Sequence, residues 1–173
     1  MPVTLRDARD SSDDRAWIRA VYREYLSELS VSKSGLFPAL GEWPAREGEF
    51  LVGWFNDPTA HPFVILADGQ RAGFALVARP PAFPRRTADF RMAEFFVVDQ
   101  ARRRGVGACA ATLLFTRFAG QWEVVEDEYN RAALAFWRQV IGRHSQGRYT
   151  EKREAGEVCH RFDSAQRPGL PQA

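Results

Sequence analysis

The sequence predicts a mixed α/β fold: a sheet of strands with helices on its faces. Three observations predict it. First, Asp68-Gly69 joins two strand-like runs, Phe63 to Ala67 and Arg71 to Ala78. That dipeptide tolerates the positive φ angles a two-residue hairpin needs. Second, the pattern after Thr87 changes to strand, turn, helix, strand, helix. Third, thirteen Phe and five Trp in 173 residues supply apolar surface for one substantial core, so a single domain is expected over residues 1–163.

The elements follow in chain order. Val3 to Arg6 is a short first strand. Ser11 and Ser12 can cap a helix whose first turn carries Asp13 and Asp14, where acids favour the helix dipole. Ile18, Val21, Tyr22, Tyr25, Leu26 and Leu29 recur at helical spacing, and this helix ends near Ser30. Residues 31–45, with Gly35, Pro38, Gly41 and Pro44, read as irregular. Glu47 to Phe55 reads as a second helix, stopped by Asn56-Asp57-Pro58. Trp43 and Trp54 in this region serve as core plugs or as ligand contacts. After the hairpin, Pro80 to Pro84 is a loop with Arg85 and Arg86 at its end. Thr87 to Val98 is a long strand. Trp122 to Val125 is another strand, and Asn130 to Ile141 is a helix with Ala133, Phe136, Trp137, Val140 and Ile141 on its apolar face. Arg148 to Lys152 and Val158 to Phe162 close the sheet, and residues 164–173 read as a frayed tail.

Composition excludes several classes of function. A formal charge of +2, with basic residues scattered apart from Arg102 to Arg104, does not suit nucleic acid. No apolar run approaches the ~20 residues of a membrane helix. The charged N-terminus has no apolar signal region, and Cys109 and Cys159 read as free thiols, so a cytoplasmic protein is expected. His61, His144 and His160 are too scattered to ligate a metal, and no metal is expected.

The chemistry concentrates between Glu94 and Phe118. Phe95 to Val98 is of strand type, and Arg102-Arg103-Arg104-Gly105-Val106-Gly107 follows as a basic turn. Val106, Cys109, Ala110, Leu113 and Leu114 then form a helical stripe expected to be buried. The first amides of a helix lack intrahelical acceptors, and the dipole adds positive charge there. Glycines let backbone approach a ligand, and arginine forks suit phosphate. The turn is therefore built to hold a phosphorylated ligand, most simply a pyrophosphate. A P-loop is excluded, because the chain has no Gly-Lys pair. Gly105, Gly107 and Ala110 satisfy a dinucleotide fingerprint, with Glu126 at the end of the next strand. Against that reading, too little chain follows for repeated strand-helix units, and a hairpin precedes the motif.

Arg102 to Gly107 resembles the [Q/R]-x-x-G-x-[G/A] acetyl-coenzyme A motif of the GNAT N-acetyltransferases. Asn130-Arg131-Ala132-Ala133-Leu134-Ala135-Phe136-Trp137 resembles that family's N-x-x-A-x-x-F-[YW] helix, and Phe96-Val97-Val98-Asp99 its usual strand ending. His61-Pro62-Phe63 and Met92 to Val97 are similar to a bacterial subgroup of predicted acetyltransferases. The resemblance covers residues 3–163. It implies a mostly antiparallel sheet of six to seven strands with about four helices. It further implies transfer of an acetyl group from acetyl-coenzyme A to a primary amine of a small molecule or peptide, by direct attack.

By this resemblance, the amides of Arg104, Gly105, Val106, Gly107 and Ala108 hold the pyrophosphate, with Arg102 and Arg103 beside it. Phe96, Val97 and Val98 pair with the pantetheine arm, Asn130 faces it, and Phe136 packs near it. The amide of Val97 or Val98 is the oxyanion donor, with Val98 the choice carried forward. Glu94 is the candidate base, a lone carboxylate in an apolar strand, with Arg91 as its alternative structural partner. Trp137 stands where many members have a tyrosine acid, which leaves Tyr129, Tyr149 or water for that role. The alternative function is a non-catalytic acyl-coenzyme A binding module of the same fold. Acids at Glu24, Glu28, Glu42, Glu47 and Glu49 suit a cationic acceptor, and a symmetric homodimer is the default assembly.

Overall fold

Backbone is described for residues 1–32, 43–79 and 88–165, and side chains for 1–29, 50–79 and 88–165, in a computed structural model. The expected loop 80–84, Arg85, Arg86 and the side chains of Trp43, Glu42, Glu47 and Glu49 lie outside these residues, as does the tail from 166.

Seven strands are present: β1 Val3–Asp7, β2 Ala60–Ala67, β3 Gln70–Ala78, β4 Phe90–Val97, β5 Gln121–Asp127, β6 Tyr149–Glu154 and β7 Glu157–Asp163. Four helices accompany them: α1 Ser12–Ser32, α2 Trp43–Asn56, α3 Val106–Arg117 and α4 Arg131–His144. The sheet is mixed and mostly antiparallel, in the order β1-β2-β3-β4-β5-β7-β6. β4 and β5 are the parallel pair, with Phe90 to Met92 opposite Trp122 to Val124. β7 lies between β5 and β6, so the closing pair joins the sheet through its second strand. The described chain divides into two compact units, Met1–Val77 with Glu94–Gly107, and Ala78–Ala93 with Ala108–Ala173.

In the first unit, the Asp68-Gly69 turn takes φ of 49° and 77°, the paired positive values of a tight hairpin. β1 pairs β2 antiparallel, with Val3 opposite Ala67. Ser11 Oγ accepts from the Asp14 amide at 3.3 Å, which caps α1. The expected α1 stripe is the buried one: Ile18 and Tyr22 join Phe74, Leu76, Leu51, Phe55 and Phe96 in one core, with Val21, Tyr25 and Leu26 packed against it.

Asp14 does more than favour a helix dipole. Its side chain is fully buried and accepts from Arg6 Nε at 2.5 Å, Arg6 Nη2 at 2.8 Å and Arg71 Nε at 2.8 Å. Hydrogen bonds from Arg6, then from Arg71, hold its carboxyl below the ordinary Asp value of 3.8, against the opposing effect of burial. A depressed native pKa adds stability that is complete above the unfolded value and is lost as the pH falls through the native one. Both arginines are partly exposed and can turn to water, so Asp14→Asn is expected to cost about 2 kcal/mol, below the usual range for a broken buried pair. Thermal midpoints from pH 7 to pH 3 check this: the gap between the two proteins should be full above about pH 4 and close below it. A gap independent of pH would deny Asp14 its charge-dependent role.

In the second unit, α3 buries Ala110, Ala111, Leu114 and Phe115, and Val106 at its start is buried too. Cys109 is exposed and Leu113 is 36% exposed, so the expected stripe is turned by about one residue. α3 is apolar nearly all round, and packing rather than periodicity chose its inner face. Phe115 meets Trp122 at 4.9 Å and Phe162 at 4.8 Å between ring centroids. The Trp122 indole donates to the Phe118 carbonyl at 2.7 Å. Ser164, placed in the tail by sequence, bonds through its hydroxyl to Gly120 N at 3.1 Å and is tied down. His160 is fully buried with Nε2 3.1 Å from Glu151, whose carboxyl the Arg138 guanidinium lowers to about 2. His144 packs 5.3 Å from Phe115, and burial lowers its pKa. Among the described residues, no group of three His, Cys, Asp or Glu could hold a metal, and no helix is long and apolar enough to cross a membrane.

Candidate functional site

In the first unit, Glu94 stands on β4, half-buried. The Tyr25 hydroxyl, from the middle of α1, donates to its Oε2. The Tyr25 ring is held edge-on to Phe74 at 5.6 Å, with Phe96 at 5.7 Å and Tyr22 at 5.5 Å. An aromatic body fixed in the core therefore presents its polar tip to a carboxylate. Arg91, the alternative partner for Glu94, reaches Glu123 Oε1 at 3.5 Å instead.

Beyond Glu94, β4 runs to Val97, five residues past Met92, the last residue in register with β5. The Val98 amide donates to the Ala72 carbonyl at 3.0 Å. This corrects the expectation for Val98, because a donor committed to the sheet does not serve an oxyanion. Successive amides of an extended chain point to opposite sides, so the Val97 amide points away from β3. Phe96 is buried, its ring in the core. Its carbonyl oxygen presses on Gly73: a Cβ on that glycine would stand 2.2 Å from the oxygen.

The turn follows. Arg103 takes φ +57° and Gly105 φ +80°, after which α3 starts at Val106. Arg103, Arg104 and Gly105 are exposed, and neither arginine has a hydrogen bond or ion pair among the described residues. Arg102 departs from the expectation that it lies beside the phosphates. Its Nε donates to the Val97 carbonyl at 2.6 Å, and its Nη2 donates to both oxygens of Glu28, at 2.9 and 2.7 Å. Nη1 is 2.8 Å from Asp99, and the guanidinium lies 5.2 Å over the Phe96 ring. Four of its five donors are engaged within the protein, so it ties α1 to the end of β4. Glu28, grouped by sequence with the acids for a cationic acceptor, is spent in the same contact.

In the first turn of α3, Val106 is buried, and Gly107 and Ala108 are half-buried. Asn130 caps α4. Its Oδ1 accepts from the Ala133 amide at 3.2 Å, and its Nδ2 donates to Glu126 at 3.1 Å. Phe136 is half-buried, 4.8 Å from the Trp137 ring. Trp137 is a core residue, 4% exposed. Of the tyrosines offered for its missing hydroxyl, Tyr129 is 63% exposed and Tyr149 packs 6.0 Å from His160. Burial raises the Cys159 thiol, which speaks against a nucleophile there.

The helical stripe gave Tyr25 only as one more core position and not as a partner of Glu94. The available signal was its hydroxyl, a group that seeks a partner when the ring is buried.

The model of the Acetyltransferase (GNAT) family matches residues 18–142. Among solved structures, the chain is similar to an acetyltransferase from Thermus thermophilus, with a TM-score of 0.68 and 16% identity over 94% of this chain and 97% of that one. It is similar to the ribosomal-protein-S18-alanine N-acetyltransferase from Escherichia coli, with a TM-score of 0.59 and 14% identity over 99% of both chains. It is also similar to the Campylobacter jejuni N-acetyltransferase PseH in complex with acetyl coenzyme A, with a TM-score of 0.57 and 12% identity over 94% of this chain and 99% of that one. At such identities these likenesses speak of the fold. No curated protein is significantly similar to the chain in sequence.

Proposed function

Because the chain belongs to the GNAT acetyltransferase family, we propose that it transfers an acetyl group from acetyl-coenzyme A to a primary amine of a small molecule or peptide, by direct attack. One observation carries this reading: Glu94, the outward Val97 amide and the exposed basic turn lie within a single run of one compact unit, Glu94–Gly107. Among solved structures of the same fold, PseH holds acetyl coenzyme A.

The residues present fit that cosubstrate. The positive φ at Arg103 and Gly105 bends the chain into the start of α3, and the guanidiniums of Arg103 and Arg104, without a partner among the described residues, supply charge there. Amides from Arg104 to Ala108 would bind the pyrophosphate. The edge of β4 from Phe96 to Val97 would pair with the pantetheine arm as an added strand does.

Acetyl-coenzyme A supplies an acetyl thioester. The Glu94 carboxylate takes the proton that an attacking ammonium must lose. The Val97 amide donates to the thioester oxygen as negative charge grows there, a role the Val98 amide is not free to play. The Tyr25 hydroxyl orients Glu94 and would return a proton to the leaving sulfur. A tyrosine hydroxyl held on Glu94 favours an active enzyme over a non-catalytic binding module.

The thermal midpoint with acetyl-coenzyme A, coenzyme A, NAD and ATP in turn tests the cosubstrate. A ligand at ~100 times its dissociation constant adds ~2.7 kcal/mol, or about 5–11 °C for a chain of this size. A rise with acetyl-coenzyme A and coenzyme A is expected, followed by release of free thiol in an amine panel. A rise with NAD alone would overturn the assignment in favour of the dinucleotide fingerprint.

A further inference from the structure

Away from the turn, the first unit has a second cationic recess, of about 330 Å³, lined by Arg9, Arg15, Arg19, Val52, Phe55 and Asn56. Three guanidiniums converge on it from α1 and from the short 3-10 helix before it, Ala8–Asp10. Arg9 is held by Asp7, with Nη2 2.6 Å from Oδ2, and Asp10 lies close enough to act on its charge. Arg15 gives Nη1 to the Arg9 carbonyl at 2.5 Å and has no carboxylate partner among the described residues. Arg19 lies over the Phe55 ring, 5.6 Å from its centroid, and also has no carboxylate partner there.

This layout is unfavourable for a helix on its own account. Arg15, Arg19 and Arg23 follow at i, i+4 and i+8, where like charges repel. Arg15 also sits in the N-terminal part of α1, where the helix dipole disfavours cations. The carbonyl end of α2 at Asn56 draws guanidiniums toward the recess but supplies only partial charge. Two guanidiniums with no carboxylate partner among the described residues, beside an apolar floor of Val52, 41% exposed, and the rim of Phe55, are suited to one kind of occupant.

We propose that this recess binds a phosphomonoester carried on an apolar or aromatic body, of the size of a nucleoside monophosphate. The guanidiniums of Arg15 and Arg19 take the phosphate oxygens, Arg9 adds charge from its Asp7 anchor, and the body lies on Phe55 and Val52. Arg15 and Glu28 are thirteen residues apart on α1, ~20 Å along the axis, so this is not the pyrophosphate turn. The site does not depend on the acetyltransferase reading.

Calorimetric titration of the full chain tests it, with AMP, inorganic phosphate and adenosine as probes, in the absence and presence of saturating acetyl-coenzyme A. AMP is expected to bind in both conditions, at least tenfold more tightly than either phosphate or adenosine. Arg15→Gln/Arg19→Gln should weaken AMP at least tenfold and leave acetyl-coenzyme A affinity unchanged. Arg19→Gln alone, at an exposed position without hydrogen bonds, serves if the double variant folds poorly. Three results would overturn the proposal: no AMP binding, AMP binding unchanged in the variants, or full displacement of AMP by acetyl-coenzyme A. Phosphate bound as tightly as AMP would remove the role of the Phe55 floor, and with it the proposed ligand class.

Discussion

Glu94→Gln is expected to lower kcat/KM for acetyl transfer by ~10²–10⁴-fold while leaving acetyl-coenzyme A affinity unchanged. That is the range over which a positioned general base contributes. The amide keeps the shape of the side chain and its place beside the Tyr25 hydroxyl, so the fold should hold. What it loses is the capacity to accept a proton from the amine. Affinity should persist because the pyrophosphate contacts are assigned to the turn and not to Glu94. Tyr25→Phe isolates the second half of the pair. The ring would still pack on Phe74 and Phe96, so the midpoint should change little, while the alkaline limb of the rate profile should change shape. Steady-state rates for the three proteins across pH, read out as free thiol, decide the matter. Equal rates for wild type and Glu94→Gln at every pH would remove Glu94 from the mechanism and leave solvent as the base.

Gly73→Ala is expected to be the most damaging small substitution in the sheet. The added Cβ would lie 2.2 Å from the Phe96 carbonyl oxygen and 3.1 Å from the Val97 Cα, both backbone atoms. Neither can swing away as the end of a side chain can, so β3 and β4 must separate locally. Overpacking of this kind costs about 3 kcal/mol, a midpoint lower by ~6–12 °C for a chain of this length. Function should suffer as well. The displaced atoms belong to Phe96 and Val97, so any shift moves the amide proposed to meet the thioester oxygen. Gly53→Ala is the matched control. Gly53 lies within α2, where an added methyl would meet nothing within 4 Å, and alanine there should stabilise by about 0.5–1 kcal/mol. A midpoint for Gly73→Ala equal to wild type would mean that the close approach of the two strands carries no energy.

The features legible in the sequence share a cause: each is written in a few adjacent residues. Asp68-Gly69 announces its hairpin because few other dipeptides take two positive φ values. The corresponding turn before β7 uses Ala155-Gly156, with φ of 52° and 82°, and gave no such signal because alanine rarely adopts that geometry. Asn130 announced a cap, and it is one. The strand, tight turn and helix start from Glu94 to Arg117 were legible through their glycines and apolar runs. The acidic first turn of α1 was also legible, but the depth of Asp14 was not, since Arg6 and Arg71 reach it from two strands.

By itself, then, the sequence determined the elements, the hairpin, the capped last helix and the turn, all set by backbone preference, capping and charge within short windows. Only the tertiary structure decided the rest. Packing turned Cys109 outward on a helix apolar all round. Pairing with β3 engaged the Val98 amide at the Ala72 carbonyl. The fold brought Tyr25 to Glu94 across 69 residues and turned Arg102 onto Glu28 across 74. Each of these depends on which distant side chain or strand arrives at a given place. That is settled by packing and long-range hydrogen bonding, which leave no periodic or local trace in the chain.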